Sequence, residues 1–301
     1  MDSTILIARN YGKGDVLEFY TQGLPAIGEG MVRVKVKASG INPIDARRMT
    51  GEFKHGELPQ TFGTEYAGII AEVHPSITNW KVGDEVLGSG GVFTHATIID
   101  VPALNLVRKP ENISWEIAGT LAGVSQTAMT IFSEMGPANS LLIHGASGGV
   151  GSVLIQIAKE KGLTVIATAS ERNQSYLADL GAIPVVYGTG LLDRINEIHP
   201  SEFDVAIDMS GTDDAIQVSL EKVKTNGFIG TIAGKAVSSP RVHPIWVKRN
   251  VSNLKYVIER VASGDFKWEV DRAYPFEKAA EAYDDILTGH TRGKSVLVFN
   301  D

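Results

Sequence analysis

The stretch "LLIHGASGGVGSVLIQIAK", from Leu141 to Lys159, constrains the fold more than any other part of the chain. An apolar run ends in a cluster of glycines, and a second apolar run follows with a different period. Val150, Val153, Leu154, Ile157 and Ala158 recur at the spacing of one helix face, so the bend joins a buried strand to an amphipathic helix. Glycine meets three demands at such a bend: a sharp reversal, close approach of an outside group to the backbone, and tight packing of the helix on its sheet. The helix N-terminus beyond it presents unpaired N–H groups and partial positive charge, which suit a diphosphate. In the pattern Ala146-x-Gly148-x-x-Gly151, alanine stands where a dinucleotide fingerprint usually has its first glycine. The competing reading is a tight strand–helix turn that binds nothing.

The surrounding sequence favours the nucleotide. Strands are predicted over 141–144, 163–169, 184–187, 203–208 and 228–233, and helices over 150–161, 173–180, 190–198 and 212–224. That alternation implies a parallel sheet with crossover helices. Ahead of it, "MVRVKVKASG" from Met31, "YAGIIAEV" (66–73), "DEVLG" (84–88) and "FTHATIID" (93–100) read as short strands divided by turn residues, a barrel-like β domain. A long helix is predicted after Ser114, its expected N-cap, stopping at Gly136-Pro137. Beyond residue 250 come two helices and a last strand, "GKSVLVF". One strand cannot bury both its faces alone, so it is expected to return to the first domain. The expected division is 1–112 and 250–301 for the β domain, with 113–249 inserted as the α/β domain.

Composition narrows the function. The 301 residues accommodate two domains, and a net charge of −7 argues against a nucleic-acid binder and against a polybasic membrane patch. With no cysteine there are no disulfides, thiolate zinc sites or cysteine nucleophiles. The first residues lack a basic-then-apolar leader, and no apolar run approaches the roughly 20 residues needed to cross a bilayer. The expectation is a cytoplasmic protein whose partners include neither nucleic acid nor membrane.

The second strand speaks to the choice of nucleotide. An NAD site usually places Asp or Glu at its end to hold the ribose 2′-hydroxyl. Here the strand ends in Thr168, Ala169 and Ser170, with Glu171 and Arg172 after it. Small hydroxyls followed by an arginine suit a 2′-phosphate and favour NADPH. Arg172 in "SERN" reads almost equally well as a solvated charge at a helix start.

Several motifs then occur in a recognisable order: Gly40-Ile41-Asn42-Pro43-Ile44-Asp45, Gly63-Thr64-Glu65-Tyr66-Ala67-Gly68, "VGDEV" (82–86), Thr127-Ala128, the glycine turn and "TRGKSVLVF". Together they resemble the zinc-independent quinone oxidoreductase branch of the medium-chain dehydrogenase/reductases, over nearly the whole chain. The resemblance implies an α/β protein: a GroES-like β-barrel catalytic domain split around a Rossmann-type doubly wound parallel sheet domain. NADPH and substrate are then expected in the cleft between the two. Where zinc alcohol dehydrogenases have a zinc-binding Cys this chain has Asn42, and where they have Gly-His-Glu it has Gly63-Thr64-Glu65. His55, Glu65, His74 and His95 follow no metal-ligand spacing, so no metal is expected.

The resemblance also implies site residues. Asn42 and Thr127 fall near the nicotinamide and substrate, Asn42 as an amide donor and Thr127 towards the ribose or carboxamide. Read as residues alone, they are a turn residue before proline and an intrahelical hydroxyl. Many relatives carry a tyrosine where Arg47 stands, followed here by Arg48; Arg47 is either an anion-binding or enolate-stabilising group or part of a solvated helix face. Ala146, Ser147, Gly148, Gly149, Val150, Ser170, Arg172, Tyr187 and Ser210 are implied around the cofactor, with the "GTIAG" loop (230–234). Arg292 either reaches the cofactor or caps the preceding helix. Relatives often have Lys where Asn173 stands, so one basic contact is missing.

Without a Lewis acid, a conjugated carbonyl is a better partner than an alcohol, because charge collecting on its oxygen can be met by hydrogen-bond donors. The expected function is therefore an NADPH-dependent, zinc-independent reductase of a quinone or α,β-unsaturated carbonyl, working as a homodimer as relatives commonly do. The alternative is an NADPH-binding structural or sensing protein with little catalysis. An RNA-binding role, a theme among relatives, is opposed by the net charge.

Overall fold

In the computed structural model, which describes residues 1–54, 56–90 and 93–300, the chain folds into two units. The first comprises Met1–Gly123, Val251–Asp265 and Glu269–Asp301; the second comprises Val124–Asn250 and Phe266–Trp268. The division thus falls after Gly123, inside a helix, where a boundary at 112 was expected.

The first unit begins with β1 (Asp2–Ala8) and β2 (Leu17–Gly23), paired antiparallel. Then follow β3 (Met31–Ile41), helix α1 (Pro43–Thr50), β4 (Gln60–Thr61), β5 (Glu65–Val73), β6 (Glu85–Ser89), β7 (Ile98–Pro102) and β8 (Leu106–Arg108). In β3 the alternation works as the sequence requires: Val32, Val34 and Val36 enter the core. Arg33, on the opposite face, is 4% exposed, and it is held by Asp100 of β7 and Glu72 of β5, its register partners. The predicted strand over 93–100 begins only at Ile98. Before it, Thr94 and His95 spend their polar groups on Ser39, Glu65, Phe62 and Leu6 rather than on a continuous ladder.

Helix α2 (Trp115–Glu134) leads into the second unit, with the Ser114 hydroxyl accepting from the Ile117 N–H at its start. The second unit is a six-stranded sheet built from β9 (Ser140–His144), β10 (Thr164–Ala169), β11 (Ile183–Val186), β12 (Phe203–Asp208), β13 (Val223–Thr231) and β14 (Val242–Pro244). Helices α3 (Gly149–Glu160), α4 (Gln174–Asp179), α5 (Leu191–Ile198) and α6 (Asp213–Lys222) connect the first five. All neighbours run parallel in the order β11-β10-β9-β12-β13-β14. Counted within the unit this is the order of a dinucleotide-binding sheet, whose switch point lies at β9 and β12. The sixth strand was not anticipated; three residues ending in proline carry too little pattern. Leu142, Ile166, Ala206, Phe203 and Ile229 form the core with Leu191 and Ile195.

Helix α3 is buried on more faces than its apolar stripe predicts. Gly151 through Ala158 are all buried, and Val150 is half-buried. Gln156 explains the extra burial: its amide donates to the Lys267 carbonyl at 2.9 Å and accepts the Lys267 N–H at 2.7 Å, tying the segment Phe266–Trp268 onto the helix.

The chain finally returns to the first unit through α7 (Val251–Ser263), β15 (Val270–Pro275), α8 (Ala279–Ile286) and β16 (Lys294–Val298). Strand β16 pairs antiparallel with β3, placing Ser295 opposite Ile41. The last strand therefore joins the seven-stranded sheet of the first unit, between β15 and β3. Among the described residues, no helix is long and apolar enough to cross a membrane.

Candidate functional site

The glycine turn sits at the carboxyl end of β9, at the switch point. Gly145 has φ +71°, a left-handed conformation that suits glycine, and a Cβ there would approach the Ser210 backbone at 3.2 Å. The turn and the end of β12 are thereby in contact. The Ala146 N–H donates to the Thr168 carbonyl of β10, and Gly148 is the N-cap of α3. Gly151 is needed for packing, since a Cβ would overlap the Ala146 carbonyl. Gly148 is different: the nearest atom to a Cβ there is the Gly145 carbonyl oxygen, 4.0 Å away. The fold has no internal use for a bare backbone at 148, so the open space fits an outside group. The N–H groups of Gly149 and Val150, at the first turn, have no intrahelical acceptor and face the requirement of a diphosphate.

The other expected nucleotide residues gather at the same strand ends. Ser170 follows β10, and Tyr187 follows β11, with its N–H on the Ala169 carbonyl. Tyr187 is 53% exposed, and Glu171 and Arg172 are both exposed, so no carboxylate is held inward at the end of β10. Ser210 is locked by Asp208, whose buried carboxylate accepts the Ser210 N–H and hydroxyl, the Gly211 N–H and the Thr231 hydroxyl. Asn173 is buried rather than basic. Its amide donates to the Ser147 hydroxyl at 3.1 Å, bracing the turn.

His144, the last residue of β9, is 1% exposed, and its Nε2 has no hydrogen-bond partner among the described residues. Burial pushes its pKa down to about 4, against a smaller opposing pull from Asp208. Between the ordinary value of 6.5 and that of the folded protein, the unfolded chain takes up a proton that the folded state refuses. Acidification through this window should destabilise the second unit, and stability should be full above it. Thermal melts from pH 7 to 4 are expected to fall less steeply for His144→Gln than for the wild type.

In the first unit a second cluster forms around Asn42. Asn42 caps α1, and its N–H donates to the Asp45 carboxylate, whose other oxygen holds the Gly63 N–H. Lys294 of β16 is 5% exposed and Glu65 of β5 is fully buried. The Lys294 ammonium donates to Glu65 Oε1 at 2.9 Å, to Asn42 Oδ1 at 2.7 Å and to the Ile41 carbonyl at 2.7 Å. Gly40 and Gly123 leave room for the carboxylate, which also takes the Gly123 N–H. An ammonium on one side and a carboxylate on the other settle which way the Asn42 amide points. Its Nδ2 gives one hydrogen to Thr64 Oγ1 at 3.1 Å and the other to Glu65 Oε1 at 3.0 Å. Both amide hydrogens are thus spent inside the protein, on Thr64 and Glu65. The Thr64 hydroxyl, already accepting from Asn42, retains its own hydrogen to donate, and Thr64 is only half-buried.

Lys294 was not singled out from the sequence, although it stands in the quoted "TRGKSVLVF". A lysine inside a strand, flanked by small and apolar residues, was the available signal.

The remaining expected residues lie elsewhere. Thr127 is in the part of α2 belonging to the second unit. Arg47 faces Glu52 at 3.5 Å, and Arg292, in the first unit, pairs with Glu269. His95 is buried between the Tyr283 hydroxyl and the Gly40 carbonyl. His74 is bonded to Ser76, and His55 lies outside the described residues. Among those residues, no group of three or more His, Cys, Asp or Glu is arranged to hold a metal ion.

Comparison with known proteins places this geometry. Residues 28–129 match the alcohol dehydrogenase GroES-like domain family, and residues 180–297 match the zinc-binding dehydrogenase family. The chain is 31% identical over 309 residues to the NADPH-dependent alkenal/one oxidoreductase, chloroplastic, of Arabidopsis thaliana, covering 96% of this chain and 77% of the relative. It is 30% identical over 306 residues to the 2-methylene-furan-3-one reductase of Solanum lycopersicum, with the same coverage of 96% and 77%. The quinone oxidoreductase structure from Coxiella burnetii superposes with a TM-score of 0.89 at 27% identity, covering 100% of both chains.

Proposed function

The chain belongs to the zinc-independent quinone oxidoreductase branch of the medium-chain dehydrogenase/reductases, and from that premise we propose that it reduces quinones or α,β-unsaturated carbonyls with NADPH, without zinc. The observation that carries this reading is the open backbone at Gly148, at the switch point of a sheet in dinucleotide-binding order. Ala146, Ser147, Gly148, Gly149 and Val150 would hold the diphosphate, Ser170 and Arg172 the 2′-phosphate, and Tyr187 the adenosine side. Ser210, fixed by Asp208, and Thr127 contribute towards the nicotinamide.

Bound NADPH supplies a hydride. Reduction of an enone at its β-carbon would leave negative charge on the carbonyl oxygen, which needs a hydrogen-bond donor. The Thr64 hydroxyl donates to that oxygen. It is the end of a polarised chain: Lys294 draws on the Asn42 carbonyl, Asn42 donates to Thr64, and each bond strengthens the next. Asn42 is thus a positioning residue. A proton from solvent completes the reduction at the α-carbon, or at oxygen for a quinone. Arg292 and Arg47 have no part in this scheme.

Purified protein dialysed against EDTA should consume NADPH with 1,4-benzoquinone, 9,10-phenanthrenequinone or a simple enone, and added zinc should change nothing. If NADPH binds but no quinone, enone or enal is reduced, the alternative of a sensing protein takes its place. Arg172→Ala should raise the KM for NADPH by roughly tenfold and leave that for NADH almost unchanged, the effect of one lost charge-assisted hydrogen bond. An equal change for both would clear Arg172 of this role. The outer edge of β14, unpaired among the described residues, and Trp246 after it at 64% exposure support a homodimer. Light scattering should give twice the 32.3 kDa chain mass.

A further inference from the structure

Arg48, on α1, carries two buried nitrogens, Nε and Nη1, with no hydrogen-bond partner among the described residues. Its visible compensation is the ring of Phe93, whose centroid lies 5.2 Å from the guanidinium carbon. An arginine remains charged throughout the accessible pH range, and removing water from its N–H groups without supplying acceptors is costly. The same unit shows how a structural guanidinium is treated: Arg33 directs Nε, Nη1 and Nη2 to Asp100, Glu72 and the Pro25 carbonyl. Among the described residues Arg48 has no such acceptors for Nε and Nη1, which leaves these two nitrogens for one that arrives from outside.

We propose that Arg48 binds the carboxylate of an anionic acceptor, so that the substrates include α,β-unsaturated carbonyls bearing a carboxylate group. The inference rests on the reductase reading and adds a substrate class to it. Arg48 lies on α1, the helix that Asn42 caps, and Phe93 directly precedes Thr94, which bonds the Glu65 carbonyl. The N-cap of α1 and the segment after Phe93 thus both bond to Thr64–Glu65, the stretch that carries the Thr64 donor. Phe93 is 38% exposed, so a flat conjugated group has access to its ring while a carboxylate meets the guanidinium. The anion-binding role anticipated for Arg47 falls to its neighbour, because Arg47 already faces Glu52.

The test compares trans-4-oxo-2-pentenoate with its methyl ester as acceptors for wild type, Arg48→Met and Arg48→Lys. Wild type should favour the acid in kcat/KM by about tenfold or more, chiefly through KM. Arg48→Met should lose that preference while retaining ester reduction and NADPH affinity, and Arg48→Lys should keep part of it. Arg48→Met should also melt no lower than wild type, since Nε and Nη1 have no hydrogen bond to a described residue that could be lost. An unaltered preference, a protein that fails to fold, or lost NADPH affinity with the preference intact would each overturn the assignment, the last giving Arg48 to a cofactor phosphate. Should wild type reduce neither acceptor, the reductase reading fails separately. Calorimetry with the unreactive 4-oxopentanoate then decides the Arg48 site, which requires at least about tenfold weaker binding in Arg48→Met.

Discussion

Replacing Gly148 by valine is expected to abolish NADPH binding while leaving the unfolding midpoint within a few degrees of wild type. The two halves of that result come from one observation. A Cβ at 148 meets nothing in the protein closer than the Gly145 carbonyl oxygen at 4.0 Å, and the backbone there is not left-handed, with φ −78°. Valine is a poorer N-cap than glycine, but the cost is only about 1 kcal/mol. The same side chain occupies the space in which a diphosphate must approach the N–H groups of Gly149 and Val150, so affinity should fall by more than about a hundredfold. Gly151→Ala gives the contrast, since its Cβ overlaps the Ala146 carbonyl and should lower the melting point sharply. Calorimetry and thermal melts on both variants separate a glycine kept for a ligand from a glycine kept for packing. Unchanged NADPH affinity in Gly148→Val would move the diphosphate elsewhere.

The second large effect is expected at Lys294. Its ammonium and the Glu65 carboxylate are removed from water together, and each satisfies the other. Such a pair contributes little net stability compared with an apolar substitute, yet breaking it by removing one partner costs about 3–5 kcal/mol. Lys294→Met leaves Glu65 buried with only the Asn42 amide and the Gly123 N–H. The melting point of the first unit should drop on the order of 10 °C. Adding Glu65→Gln should recover part of the loss, because the stranded charge is then gone. Reduction of acceptors should remain impaired in the double variant, since Asn42 no longer has an ammonium on its carbonyl to fix the amide and polarise Thr64. A double variant no more stable than Lys294→Met would show that the two groups are not coupled.

These two sites differ in how far they could be read in advance. The turn at 145–151 is local: a strand, four glycines and a helix within "LLIHGASGGVGSVLIQIAK" carry its meaning without reference to the rest of the chain. The alternation of strands and helices in the second unit was legible for the same reason, because each period is set by near neighbours. Lys294 is 252 residues from Asn42, and only the pairing of β16 with β3 brings them together. No spacing in the sequence records such a contact. The Asn42 amide illustrates the consequence. Its identity and position before Pro43 were visible, but the direction of its two hydrogens depends on Lys294 and Glu65 jointly. The irregular segment at 93–97 was obscured by similar long-range demands: its polar groups go to Phe62, Leu6 and Glu65, and the apolar–polar alternation of "FTHATIID" does not show this. Arg48 and Arg47 look alike in sequence; their different neighbours, Phe93 for one and Glu52 for the other, become visible only in the fold.

The most direct test is to follow the hydrogen itself. NADPH deuterated at nicotinamide C4 should be supplied to the EDTA-treated protein with a simple enone, and the reduced product examined by mass spectrometry. The account predicts one deuterium per product, located on the β-carbon, with the α-hydrogen drawn from solvent. Product without deuterium, or bound NADPH that never passes its label to any acceptor, would contradict it.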